Sequence, residues 1–215
     1  MDNREIRDKF FKKMTNNINW LNKKFDENLP LILASASPRR KDILEGLGLK
    51  ITVIPSHIPE DNIEGTGEEI ARTLAKLKAR SVADKHNGII IGADTVVILD
   101  DIVLGKPLNE SDAKQMLTKL SGNSHFVVTG IAVINTSNSQ EIITSTKSKV
   151  TFRVISEQEI DSYIAGREPM DKAGAYAIQG KGSNFITKLE GSYTNVIGLP
   201  ISESLLCLTK LLNYK

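Results

Sequence analysis

The chain has 215 residues, of which 40% are hydrophobic and 25% charged; this length and composition fit one ordinary globular domain, or one with a small appendage. A net charge of +2 is too small to point to nucleic acid, and 5% aromatic residues are too few for a base-stacking face. A single cysteine, Cys207, excludes an internal disulfide framework and a cysteine-based zinc site, and no apolar run is long enough to span a membrane.

Residues 1–28 are rich in Lys, Asn and Asp, and Phe10, Phe11, Trp20 and Phe25 suit one face of an amphipathic helix. They are read as a partly helical N-terminal extension ahead of a domain over residues 29–215. Asp2, Glu5, Asp8, Asp26 and Glu27 make the segment too acidic for a transit sequence, and charges stand where a signal peptide needs an apolar core, so a cytoplasmic location is expected.

The next stretch organises the chain. Leu31, Ile32 and Leu33 form an apolar strand that ends in Ser35, Ser37, Pro38, Arg39, Arg40 and Lys41. Ser37 is a preferred N-cap and Pro38 suits the first helical position, so a helix opens at the basic cluster. Its first N–H groups lack intrahelical acceptors, which lets Ser35, Ser37, Arg39 and Arg40 converge on a phosphate. The Gly-x4-Gly-Lys-Ser/Thr spacing of a P-loop is absent. Ile43, Leu44 and Leu47 continue the helix to Gly46 and Gly48, and a short strand follows over residues 50–54. The polar loop behind it holds Glu60 and Asp61, an acid pair able to ligate a hard cation, and His57, read as a plain loop histidine.

Thr66 and Glu69 form a capping box for a helix to about Lys85, with Lys76, Lys78 and Arg80 on or beside its polar side. Residues 88–99 are the strongest strand, buried on both faces as in the middle of an α/β sheet. Asp94 and Thr95 interrupt it. A carboxylate there is costly unless paired, hydrogen-bonded or bound to metal, which marks Asp94 as functional. Asp100 and Asp101 turn the chain into a short strand over residues 102–104, and Lys106 sits on a restrained loop between Gly105 and Pro107.

Ser111 is expected to cap a helix that ends at Gly122. Two long strands follow over residues 125–134 and 142–154, with His125 serving the sheet. Ser156 and Glu159 form a second capping box for a helix stopping at Gly166. Residues 167–191 are read as a long ordered loop bearing Asp171, Lys172, Tyr176, Gln179, Asn184 and Lys188. In the last helix Leu205, Leu208 and Leu212 pack on the sheet, and Cys207 is a buried, inert thiol.

Cations on restrained backbone (Arg39, Arg40, Lys106) together with carboxylates near strand ends (Glu60, Asp94) are what a polyphosphate–metal substrate needs. The runs Ala34-Ser-Ala-Ser-Pro-Arg-Arg40, Gly92-Ala-Asp-Thr-Val96, Gly105-Lys-Pro107, Lys119-Leu-Ser-Gly122, Asp171-Lys-Ala-Gly-Ala-Tyr176, Ile178-Gln-Gly180 and Asn195-Val-Ile-Gly-Leu-Pro200 resemble, in order, the Maf family of nucleoside triphosphate pyrophosphatases. The resemblance covers the chain from about Leu31 to its end. It implies an α/β fold related to the inosine-triphosphate pyrophosphatases, with an elongated mixed β-sheet flanked by helices and two lobes around a nucleotide cleft. It implies hydrolysis of a nucleoside triphosphate to the monophosphate and pyrophosphate with a divalent metal, Mg²⁺ or Mn²⁺.

By position, the resemblance makes Asp94 the proton acceptor and Glu60, Lys78 and Lys106 further site residues; mechanistically, Glu60 and Asp94 are read as helping to place the metal and the water. Arg39, Thr95 and Gln179 fall where the subgroup acting on dTTP and UTP has residues associated with substrate choice. A glutamine amide offers both a donor and an acceptor to the O4 and N3–H edge of uracil or thymine. Ala177 departs from the subgroup's glycine; if that position needs positive φ, the loop shifts and base choice is affected. Modified pyrimidine nucleotides and a homodimer stay open. The rival readings are a nucleotide-binding regulator of cell division that does not hydrolyse, and a nucleic-acid-binding domain.

Overall fold

The computed structural model describes residues 21–25, 29–60 and 63–212. Phe10, Phe11, Trp20 and Asp61 lie outside them.

The sheet is built on β3 (Ile89–Leu99), whose β-branched run is buried on both faces. Around it β1 (Leu31–Leu33), β2 (Thr52–Val53), β4 (Ile102–Leu104), β5 (Ser124–Asn135), β6 (Gln140–Phe152) and β7 (Ile186–Glu190) complete a seven-stranded sheet of order β2-β1-β3-β5-β6-β7, with β4 on β3. β1 runs parallel to β2 and β3, and the other pairs are antiparallel, so the sheet is mixed.

One edge of β3 is split. β1 pairs with Ile89, Ile90 and Ile91, and β4 pairs with Val97, Ile98 and Leu99. Residues 92–96 therefore have no strand on that side. The split follows from the sequence: β1 stops at the Ser/Pro turn, while Asp100 and Asp101, at φ 48° and 64°, fold the far end of β3 into a tight hairpin. Asp94 and Thr95 lie in the gap.

Helix α1 (Pro38–Gly46) follows β1, and α2 (Gly67–Ala83) follows β2. Then come α3 (Glu110–Leu120), α4 (Glu157–Ala165), α5 (Tyr193–Ile197) and α6 (Ile201–Leu211). Helix α2 lies almost backbone to backbone on the sheet. A Cβ on Gly92 would stand 2.2 Å from the Ala75 carbonyl oxygen, and one on Gly130 2.2 Å from that of Ala71. Only glycine permits that approach, which carries Lys78 down to the sheet.

On the opposite face two apolar cores flank the gap. One joins Leu33, Leu44, Ile91, Ile131, Leu199 and Leu208 around α1 and α6. The other joins Val97, Leu117, Phe152, Tyr163, Tyr176 and Phe185 around α3 and α4. Leu21 is fully buried in the first, Phe25 packs against it, and the Asn22 side chain accepts from the Lys50 N–H and donates to the Gly48 carbonyl. Cys207 is buried in the same core, and burial raises its thiol pKa.

Four expectations need correction. Asn109, not Ser111, caps α3, since its Oδ1 accepts the Asp112 N–H at 2.9 Å and leaves Ser111 inside the first turn. The second long strand runs from Gln140 to Phe152 rather than over 142–154, because residues 136–139 alone make the turn. The stretch expected as loop contains β7, an edge strand too polar to read as one, and three short 3₁₀ turns. Residues 193–197, expected only as a lead-in, form α5, capped by Ser192.

His125 sits in the second core with Nε2 2.7 Å from the Tyr176 hydroxyl and its ring edge-on to Phe152. Burial pushes its pKa down to about 4. Between the ordinary value near 6.5 and that value the unfolded chain binds a proton that the folded chain refuses, so stability is complete above about pH 6.5 and falls as pH drops toward 4. Urea titrations at pH 7 and pH 4.5 should differ by about 2–3 kcal/mol from this residue, and His125→Phe should remove that part of the slope.

Candidate active site

At the end of β1 the Ala34 N–H bonds the Ile91 carbonyl, and the chain then turns away from β3. Ser37 occupies the N-cap position of α1 with Pro38 behind it, but its hydroxyl makes no capping bond; its N–H instead donates to Ser35 Oγ at 3.2 Å. The expected helix start is present, and the Ser37 hydroxyl is left at the mouth of the turn rather than spent on the helix. The Arg39 and Arg40 amides sit in the first turn, where a helix offers them no acceptor.

Arg40 is buried and holds the turn together. Its Nε donates to the Gly198 carbonyl at 2.8 Å, Nη1 to Ser35 Oγ at 3.0 Å and Nη2 to Thr95 Oγ1 at 3.1 Å. Thr95 Oγ1 also lies 3.0 Å from Thr129 Oγ1, which donates to the Asn195 carbonyl at 3.0 Å. Thus β1, β3, β5 and α5 are tied through one guanidinium. Burial lowers the Arg40 pKa, and the charge of Arg39 adds to this against the opposing pull of Asp94 and Glu60. The Thr129 and Asn195 supports were not anticipated; the signal available for Thr129 was a lone polar residue in an apolar stretch, while Asn195 takes part through its backbone carbonyl and gave none.

Asp94, one residue from Thr95, projects from the opposite face of β3, toward α2. There Lys78 Nζ donates to Asp94 Oδ1 at 2.6 Å and also meets Glu60 Oε1 at 2.7 Å. Asp94 and Lys78 are 8% and 7% exposed, so the pair is nearly dry, whereas Glu60 reaches in from an exposed loop. Desolvation alone would raise the Glu60 pKa. The hydrogen bond and charge of Lys78, helped by Lys106 and Arg40, outweigh it and hold the carboxyl below its ordinary range.

Because the β3 edge is open here, groups from both faces reach a single cleft of about 550 Å³. Ser35, Ser37, Arg39, Arg40, Glu60, Lys78, Asp94, Thr95, Lys106 and Gln179 all line it. So do Ser56, Asp171, Lys172 and Tyr176, which had not been assigned to a site. Lys172 and Asp171 form an ion pair, and the Gly174 N–H bonds the Gly105 carbonyl at 2.9 Å, joining the loop of Lys106 to that of Asp171. Ala177 is not among the residues with positive φ, so it brings none of the strain that a left-handed position would impose. The left-handed positions just before it are Gly174 at 66° and Ala175 at 60°.

No group of three or more His, Cys, Asp or Glu side chains that could hold a metal occurs among the described residues. Two carboxylate oxygens do converge on one cation, the Lys78 ammonium, from 2.6 and 2.7 Å. Two carboxylates are a sufficient protein share for Mg²⁺ or Mn²⁺, which complete their shells from phosphate and water, so the donor set fits.

Residues 30–211 match the family model described as Maf-like protein. The chain is 51% identical over 174 residues to the dTTP/UTP pyrophosphatase of Alkaliphilus oremlandii, covering 80% of this chain and 90% of that protein. It is 48% identical over 177 residues to that of Dictyoglomus thermophilum, with the same coverage, and 48% over 174 residues to that of Clostridioides difficile, again over 80% and 90%. A HAM1 protein from Coxiella burnetii superposes on 58% of this chain and 73% of its own with a TM-score of 0.43 at 20% identity, too slight a likeness to place any site residue.

Proposed function

This chain belongs to the Maf family, and we propose from that premise that it is a nucleoside triphosphate pyrophosphatase acting on dTTP and UTP. The bond broken is the α–β anhydride, and the products are the nucleoside monophosphate and pyrophosphate. The observation that carries this reading is the convergence of a carboxylate pair and a phosphate-type cation cluster on one cleft at the split edge of β3.

The serine turn, the first amides of α1, Arg39 and Lys106 bind the triphosphate, where fixed donors need no reorganisation as charge moves onto the departing pyrophosphate. Glu60 and Asp94 would hold a divalent cation, Mg²⁺ or Mn²⁺, which when bound neutralises phosphate charge and polarises the anhydride. Asp94 accepts the proton of a water whose oxygen forms the new P–O bond as the bridging bond breaks. Lys78 aims the Asp94 carboxylate, since its ammonium donates to Oδ1 at 2.6 Å and fixes that oxygen against α2. Gln179 presents a donor and an acceptor to the O4 and N3–H edge of the base. A regulator that only senses nucleotides would use the cations and give the carboxylate pair no work.

No helix among the described residues is long and apolar enough to cross a membrane. A substrate drawn from the nucleotide pool supports a cytoplasmic location as part of this proposal.

The test is pyrophosphate release from a panel of nucleoside triphosphates with Mg²⁺ or Mn²⁺, modified pyrimidines included. dTTP and UTP should be turned over at least about tenfold faster, per unit concentration, than ATP and GTP. Release of orthophosphate instead, or no hydrolysis of either pyrimidine with either metal, would overturn the proposal.

A further inference from the structure

Gln179 carries the base contact in the reading above, on which this inference rests, yet its amide makes no hydrogen bond among the described residues. Its direction is therefore set by the backbone of its turn. That turn is folded around one side chain. Glu168 Oε2 accepts the Lys181 N–H at 3.0 Å, and Oε1 accepts the Gly182 N–H at 3.2 Å and the Tyr163 hydroxyl at 2.9 Å. The Tyr163 oxygen in turn accepts the Ala177 N–H at 3.3 Å. The Lys181–Gly182 flank of Gln179 is thus pinned to Glu168 itself, and the Ala177 flank to the Tyr163 hydroxyl of α4, which the same carboxylate holds in place.

The fit is close. A Cβ on Gly180 would stand 2.1 Å from Glu168 Oε1, so the residue after Gln179 must be glycine for the turn to close on the carboxylate. Glu168 follows Arg167 at φ 57°, a left-handed position that turns the chain back from α4 toward the cleft. Desolvation would raise the Glu168 pKa, but the donors around it prevail and hold it below the ordinary range. Three donors converge on two oxygens, and only an acceptor-only group satisfies them all.

We infer that Glu168 is a positioning residue for base selection: it fixes the turn over residues 177–182 and through it the direction of the Gln179 amide. Glutamine at 168 keeps the size but replaces one oxygen with a donor that faces another donor, so the turn loosens while the phosphate side of the cleft is untouched.

The experiment is a double-mutant cycle of Glu168→Gln and Gln179→Ala on the UTP-to-CTP ratio of kcat/KM, repeated on the Kd of UMP against CMP by calorimetry. Each single variant should shrink the ratio about tenfold, through KM more than kcat, and the double variant should shrink it no further. An unchanged ratio in Glu168→Gln, or effects that multiply, would overturn the inference. If Glu168→Gln fails to fold, Tyr163→Phe removes one donor from the carboxylate and the acceptor of the Ala177 N–H, and keeps the Lys181 and Gly182 bonds to Glu168. A ratio about threefold smaller is then expected, and an unchanged one overturns the inference. A chain that binds UMP yet releases no pyrophosphate from UTP would end the hydrolytic reading, while the Kd cycle would still decide the role of Glu168.

Discussion

Asp94→Asn should lower kcat for dTTP and UTP by about 10³-fold while leaving nucleotide Kd within about threefold. The substitution is isosteric, and the asparagine oxygen can still accept from Lys78 Nζ, which lies 2.6 Å from Asp94 Oδ1. What disappears is a proton acceptor and one negative charge. The competing outcome is loss of the fold, because an unpaired buried ammonium is costly. Lys78 keeps Glu60 at 2.7 Å, however, and that carboxyl remains ionised at neutral pH, so the ammonium stays paired. The stability loss should stay near 1–2 kcal/mol, well short of unfolding a domain of this size. Single-turnover hydrolysis with calorimetric binding separates the two effects. Metal-dependent turnover close to that of the unmodified protein would remove Asp94 from the role of base. Glu60→Gln should act in the same direction and more weakly, since Glu60 reaches the cleft from an exposed loop that water also enters.

The chain shows how far local signals carry. The capping boxes at Thr66 and Ser156 are closed in the structure, and the continuous apolar run from Ile89 to Leu99 is the buried centre of the sheet. Asp94 stood out for the same reason: a charge in such a run needs a partner, and Lys78 supplies it. The bonds that tie distant segments were not legible. Arg40 reads as one more cation in a basic turn, and nothing near it in the chain announces that Gly198, 158 residues away, accepts from its Nε. β7 was missed because an edge strand needs only one half-buried face and takes its order from β6. Glu168 was missed because two of its three donors are backbone amides, which leave no side-chain pattern to read.

Arg40 and Arg39 should then part company under mutation. Arg40→Lys keeps the charge and loses the fork: one ammonium cannot meet the Gly198 carbonyl, Ser35 Oγ and Thr95 Oγ1 from the positions of three separate nitrogens. Hydrogen bonds to a charged donor are worth about 1.5–3 kcal/mol each, and the freed acceptors recover part of that by hydration from the cleft. A net loss of about 3 kcal/mol follows, or a fall in Tm of roughly 6–12 °C at this chain length. Activity should fall with it. The turn bearing Ser35 would no longer be locked to β3, and a shift of about 1 Å in a phosphate site costs on the order of 10²-fold in kcat/KM. Arg39, half-buried with its side chain at the cleft, should show the opposite balance in Arg39→Ala: Tm within about 2 °C and a rise in KM for the triphosphate of tenfold or more. Thermal melts beside steady-state kinetics decide between the two roles. If Arg40→Lys leaves Tm unchanged, the guanidinium is a substrate ligand rather than the tie that shapes the site, and the division of labour between the two arginines must be reversed.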